Sequence, residues 1–246
     1  MSQSLQNGID ALLLLTTRKT VGVTELADEL NISKSTASRV LAALQDANLL
    51  ERNRETSKYN LGPAILRLCE QYQRSQSVIA IARPFMERLM QEIHESVHLG
   101  VLANEQAVVI EQVVSDSRLV VNAKVGGTEP LYCSSVGKCL LAFAPDDTRG
   151  KALAETTLVA RTSKTITNMG RLLKELDRIK QVGYAMDDEE LSPDIKCLAV
   201  PIRNNRGAYA YALGTSGAAS RMTDEKLNRV IPLMLKAAKD IHAQLR

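Results

Sequence analysis

Residues 94–98 read "HESVH" and fit the H-E-x-x-H pattern, in which two imidazoles one helical turn apart hold a zinc ion and the glutamate between them activates water. That chemistry needs an unbroken helix through His94, Glu95 and His98, plus a third ligand from elsewhere. After Glu95, however, Val97, Leu99 and Val101 alternate with His98 and Gly100, a spacing that predicts a strand starting at Val97. A strand there removes His98 from the helix face that would carry His94. The remaining imidazole, His242, lies near the C-terminus, and Glu111 sits inside the strand-like "AVVIEQVV" at 107–114. We therefore expect a helix-end His94, a strand His98 and no metal site, and a zinc-dependent hydrolase is the weaker alternative.

A cysteine-dependent hydrolase is the other enzymatic alternative. Cys133, Cys139 or Cys197 would need a histidine base and an orienting carboxylate close in space, and three histidines supply this poorly. The four cysteines are widely spaced with no C-x-x-C pair, which reads as reduced, mostly buried small apolar residues. "GK" at 137–138 lacks the upstream glycine and the following Ser or Thr of a phosphate loop. No catalytic residue and no cofactor is assigned, and the chain is not read as an enzyme.

With 246 residues, 45% of them hydrophobic, the chain can bury two ordinary cores. Its charge is only +3, from 31 basic and 28 acidic residues, so a nucleic-acid site must be local. The run "ALLLL" at 11–15 is too short to span a bilayer, which gives the expectation of a cytoplasmic protein without a membrane partner. Two Phe and six Tyr leave few platforms for stacking single-stranded nucleic acid.

Residues 31–60 hold a small local excess, five cations (Lys34, Arg39, Arg52, Arg54, Lys58) against three acids (Asp46, Glu51, Glu55). Ile9, Leu12 and Leu13 recur at helical spacing, and "TELADEL" at 24–30 begins with Thr24, a good N-cap. After "NIS", with Ile32 expected beneath the turn, Ala37, Val40, Leu41 and Leu44 form the core stripe of a third helix. The outer face of its first two turns carries Lys34, Ser35, Thr36, Ser38 and Arg39, without a carboxylate, which suits phosphates and base edges. Two short strand-like runs follow around a polar turn carrying Arg52, Arg54 and Lys58. Helix, three-residue turn, helix and wing make a winged helix-turn-helix for double-stranded DNA. The bland alternative is a solvated helical domain; order, turn length, acid-free face and wing together favour DNA.

Gly62 and Pro63 break the chain and start a linker helix, with Ile65, Leu66, Leu68 and Cys69 at helical spacing, a polar "QYQRSQS", and a second helical run through Leu89 to Ile93. Beyond it "RLVVNAKVGG" (118–127) reads as a strand ending in a glycine turn. "PLYCSSVGKCLLAFA" reads as an extended segment whose Ser134 or Ser135 caps a short helix. Leu172, Leu173, Leu176 and Ile179 share a helical face, "GYAMD" is strand-like, "KCLAVPIRN" and "AYAYALGTSG" form a hairpin, and a long helix closes the chain. This is an antiparallel sheet flanked by helices.

The stretches "TELADELNISKSTASRVLAALQDANLLER", "HESVHLGVL", "PLYCSSVGKCLLAF", "GYAMDDEE" and "KCLAVPI", in that order, resemble the IclR family of bacterial transcriptional regulators over nearly all of residues 5–245. The resemblance implies an α+β chain: a winged helix-turn-helix with the start of a linker helix at 1–75, and a GAF-like effector-binding and oligomerisation domain at 76–246. It implies a DNA-binding regulator, expected here to be a repressor, that forms a homodimer or homotetramer on operator DNA and responds to a small organic acid. Carried over by motif, the effector pocket would use Ser135, Val136, Gly137, Asp187, Cys197 and Ser216. Amides at a helix N-terminus suit a carboxylate, whereas Asp187 would accept a hydrogen bond from a ligand hydroxyl. Two positions depart from the family pattern: Gly214 stands where a polar hydroxyl residue is common, and Pro193-Asp194 where a glycine is usual.

Overall fold

The computed structural model describes residues 2–75, 77–103, 105–117 and 120–245. The chain forms two compact units, Met1–Ser75 and Gln76–Arg246.

In the first unit, α1 (Gln3–Thr17), α2 (Val23–Leu30) and α3 (Lys34–Asp46) precede the strands β1 (Leu50–Arg52) and β2 (Tyr59–Leu61), and α4 (Ala64–Ser75) follows. Ala11, Leu15, Leu26, Ala37, Val40 and Leu41 meet Leu50 and Tyr59 in the core. Thr24 does not cap α2. The cap is Gly22, whose N–H donates to the Glu25 carboxylate at 2.8 Å, because that side chain reaches back one turn. The helix stops at Asn31, which takes a left-handed φ of 50° that asparagine tolerates. Two residues on, Ser33 caps α3 by accepting the Thr36 N–H at 3.2 Å, so "NIS" is the whole turn and Ile32 packs against the core. Ile9 and Leu13 instead belong to an outer stripe of α1, with Leu13 59% exposed. Strands β1 and β2 pair antiparallel, Arg52 opposite Tyr59, and Val21 bridges the other side of Tyr59. Gly62 closes this wing, since a Cβ there would lie 2.4 Å from the Asn48 carbonyl oxygen.

The second unit runs α5 (Ser77–Ile93), β3 (Ser96–Ala103), β4 (Gln106–Val113), β5 (Thr128–Glu129), α6 (Ser135–Phe143), α7 (Asp146–Glu155), α8 (Met169–Val182), β6 (Ala185–Asp188), β7 (Ile195–Arg203), β8 (Tyr209–Ala218) and α9 (Asp224–Gln244). The strands form one antiparallel sheet in the order β5-β4-β3-β8-β7-β6. Alternation along β7 shows how it is covered: Leu198, Val200 and Ile202 join Met86, Ile93, Met234 and Ile241 of α5 and α9, while Ala199 joins Val136, Leu141, Leu172 and Ile179 of α6 and α8.

Four local readings are corrected. Residues 120–125 form no strand, because the turn at Gly126 and Gly127 exchanges two backbone hydrogen bonds with Val109 before a longer ladder can form; Arg118 and Leu119 lie outside the described residues. The approach to α6 is a turn rather than an extended segment, with the Ser134 N–H on the Pro130 carbonyl. Leu173 leaves the buried face of α8 and is 43% exposed. Helix α7 was not anticipated from the sequence. Among the described residues no helix is long and apolar enough to cross a membrane.

Candidate DNA-binding face and effector pocket

Helix α3 advances about 100° per residue, so with Ala37, Val40 and Leu41 buried the direction farthest from the core belongs to Ser35, Arg39 and Ala42, with Ser38 at its edge. Lys34 and Thr36 flank that strip, and Thr36 is half-buried. Ser35 and Thr36 are partly engaged already, each with its hydroxyl 2.9 Å from the Ser33 hydroxyl in the capping network. Ala42, which the sequence reading passed over, is exposed one turn beyond Ser38 and is an apolar side chain of a size that could meet a base edge. In the wing, Arg52 and Arg54 are exposed. Lys58 is tied to α2 by an ion pair with Glu25 at 2.5 Å, the same carboxylate that caps Gly22, so it also braces the wing against the helices.

The HESVH stretch resolves as a helix end and a strand. His94 ends α5 with φ +55°, and its carbonyl accepts the Ser115 and Ser117 hydroxyls, both at 3.0 Å. His98 lies in β3 opposite Gly214, fully buried, and burial pushes its pKa down to about 4, so it is neutral. Glu95 is buried between Arg221, at 2.7 Å, and Lys226, at 2.8 Å, and joins the start of β3 to the start of α9. Among the described residues no group of three metal-ligating side chains is found. The thiols are poorly placed as nucleophiles: burial pushes Cys133 up to about 12 and raises Cys139 and Cys197 as well.

Sheet register brings the second set of candidates together. Asp187 on β6 is opposite Cys197 on β7, Cys197 is opposite Ser216 on β8, and Ser216 is opposite Ser96 on β3. One row therefore crosses four adjacent strands, on the face that α6 covers. Helix α6 begins at Ser135, capped by Ser134, whose hydroxyl accepts the Gly137 N–H at 2.9 Å and donates to the Pro130 carbonyl. The Gly137 amide is thus consumed by the cap. Its lack of a side chain is required by packing, since a Cβ would lie 2.4 Å from the Pro130 oxygen. The first-turn amides of Ser135 and Val136 remain for an acceptor. Val136 packs its side chain against Gly100 and Gly214, where added Cβ atoms would lie 2.5 and 2.8 Å from its methyls. Gly214 is further demanded by His98, whose Nε2 would be 2.3 Å from that Cβ, which explains why no hydroxyl residue stands there.

Three carboxyl groups line this neighbourhood. Burial raises Asp187 to about 6, although its Oδ1 accepts the N–H groups of Glu190 at 2.7 Å and Leu191 at 3.2 Å. Burial also raises Glu129, beside Ser134, and Glu190. Glu190 pairs with the fully buried Lys138 of α6, which has Glu175 at 4.0 Å on its other side. Asp187 Oδ2 and Glu190 Oε2 are buried without a strong hydrogen-bond donor, the Cys197 thiol across the strand pair being the weak donor beside Asp187. Such atoms cost the fold about 1–3 kcal/mol each and favour any guest that brings a donor. All six candidate residues are buried, and none lines the adjoining cavity of about 490 Å³, whose walls include Glu129, Tyr132, Arg161 and Leu191. Glu129, Glu190 and Lys138 were missed from sequence. The one available signal was a lysine inside the otherwise apolar "VGKCLLAF", which demands a buried counter-charge.

Comparison with known proteins agrees with this architecture. Residues 4–54 match the IclR helix-turn-helix domain, and residues 70–243 match the bacterial transcriptional regulator IclR C-terminal domain. The chain is 30% identical to the HTH-type transcriptional regulator KdgR of Escherichia coli, over 92% of this chain and 86% of that protein. It is 29% identical to the transcriptional repressor IclR of E. coli, over 97% and 88% respectively. It superimposes with a TM-score of 0.86 on an IclR homologue from Microbacterium hydrocarbonoxydans complexed with 4-hydroxybenzoate, at 25% identity and 99% coverage of both chains.

Proposed function

The chain belongs to the IclR family of bacterial transcriptional regulators, and on that premise we propose that it is a cytoplasmic repressor whose affinity for double-stranded operator DNA changes when a small organic acid binds beside Asp187 and the start of α6. Met1–Ser75 is the DNA-binding part. Gln76–Arg246 is the effector and oligomerisation part, and the regulator acts as a homodimer or homotetramer, whose paired winged helices fit two half-sites at one separation. Ser35, Ser38 and Arg39 read bases, flanked by Lys34 and Thr36, while Arg52, Arg54 and Lys58 hold phosphates.

The observation that carries the effector reading is that α6 and the Asp187 strand, which pack against each other, bring opposite requirements. The amides of Ser135 and Val136 want an acceptor, and Asp187 Oδ2 wants a donor. An acid that also carries a hydroxyl meets both, with its carboxylate on the helix amides and its hydroxyl on Asp187, while Cys197 and Ser216 line the row beside it. The relative complexed with 4-hydroxybenzoate carries a ligand with both groups. Small hydroxy acids should be screened by thermal shift on the full chain, and any that bind should be titrated into complexes with DNA from the chain's own promoter region. An acid that raises the melting temperature and changes operator affinity supports the reading. If no acid does both, or if Asp187→Asn responds like the parent, the reading fails.

A further inference from the structure

Six residues along β7 from Cys197, about 20 Å at the usual strand rise, the sheet ends in a different concavity. Lys180 of α8, Arg203 of β7, and Lys239 and His242 of α9 line a cavity of about 370 Å³ that has no carboxylate in its wall. Arg203 is held in place: its guanidinium lies 4.5 Å above the Tyr209 ring and donates to the Tyr209 hydroxyl at 2.9 Å, and its carbonyl lies 3.1 Å from His242 Nδ1. The floor is apolar, with Phe143, whose ring is 4.6 Å from that of Tyr209, and Leu235. A neighbouring apolar cavity of about 220 Å³ shares Phe143, Pro201 and Tyr209 with the first.

We propose that this end of the effector unit is a second ligand site, for an organic anion with a doubly charged head, such as a phosphate monoester, on an aromatic or short acyl body. The head sits among Lys180, Arg203 and Lys239, and the body lies along Phe143 and Tyr209 into the apolar compartment. The plain alternative is that cations in the last turns of helices answer the helix dipole. That accounts for Lys180 in α8 and His242 in α9, but not for Arg203 on a strand or Lys239, five residues before α9 ends. Among the described residues, neither Lys180, Arg203 nor Lys239 has a carboxylate within ion-pair distance, although Lys236 on the same helix pairs with Asp240. Cations from three elements face one concavity, so an anion seated there would meet all three at once.

The test is calorimetric titration of the full chain with phenyl phosphate, alongside inorganic phosphate and phenol. Saturable binding of phenyl phosphate at one per chain is expected, weaker binding of inorganic phosphate, and none of phenol. Arg203→Gln with Lys239→Gln, both at exposed positions, should weaken phenyl phosphate about tenfold or more. On the unaltered chain, affinity should fall as salt is raised, because the charges stand in reach of solvent. Absence of saturation in the millimolar range overturns the proposal. So does unchanged affinity in the double variant, or a salt-independent affinity. A double variant that leaves binding intact but alters sedimentation would assign these cations to contact between copies of the chain, and equally overturns it.

Discussion

Replacing Asp187 by Asn should make this protein more stable at neutral pH, against the usual expectation for a buried polar residue with two backbone partners. Burial holds the carboxyl at about 6 where 3.8 is ordinary, despite the N–H groups of Glu190 and Leu191. At about 1.4 kcal/mol per unit, the ionised form costs the folded state about 3 kcal/mol. The sign follows from proton counts. Well below the ordinary value both states hold the proton and nothing is lost; between the two values only the folded state holds it, so stability falls as pH rises; above about 6 the full penalty stands. Asparagine keeps an oxygen for the two N–H groups and replaces Oδ2 with an amide that carries no charge. Urea denaturation of the full chain, followed by circular dichroism and by tyrosine fluorescence, four of whose six sources lie beyond residue 75, should find the variant about 2–3 kcal/mol more stable near pH 7.5 and level with the parent near pH 4. A difference that does not change with pH, or a variant less stable than the parent at neutral pH, would refute the claim that desolvation dominates this site.

Arg39→Ala should lose discrimination between operator and random DNA by about 1–3 kcal/mol, whereas Lys58→Ala should weaken all sequences alike and flatten the salt slope. Fluorescence anisotropy at several salt concentrations separates the two, and parent-like binding by both variants would refute the DNA-binding face. Gly214→Ser should destabilise the effector unit by about 1–3 kcal/mol through the collision with His98 and Val136, measured by denaturant midpoint; a neutral result would mean the sheet yields there without cost. Glu95→Gln should be harmful by about 3 kcal/mol, since it strips the charge that Arg221 and Lys226 share at a buried position. Equal melting temperatures for Glu95→Gln and the parent would leave that ion cluster without a structural role.

What could be read from the sequence was set by neighbours in the chain. Asn31 and Ser33 bracket a short turn that, with the helix order and the wing, marks the helix-turn-helix, and the change from helical to alternating spacing at Val97 separates His94 from His98 without reference to any other segment. Where a distant group decides, local reading stopped short. Thr24 is a good cap by type, yet Glu25 gives the task to Gly22 and binds Lys58 of the wing as well. Ile9 and Leu13 have helical spacing, but spacing alone does not tell a core stripe from an outer one. The pocket shows the same division. The family pattern supplied Ser135, Asp187, Cys197 and Ser216, whereas the electrostatics that make the place unusual come from Glu129, Lys138 and Glu190, residues on separate segments that only the folded sheet and helix α6 bring close. A carboxyl raised toward neutrality on a strand packed against α6 is a property of that assembly, and on the proposed reading it would constrain an effector more tightly than any one of the residues does. A bare carboxylate would satisfy the amides and leave Asp187 Oδ2 without a strong donor, so an acid lacking a donor should bind less well than its hydroxylated counterpart at the same pH.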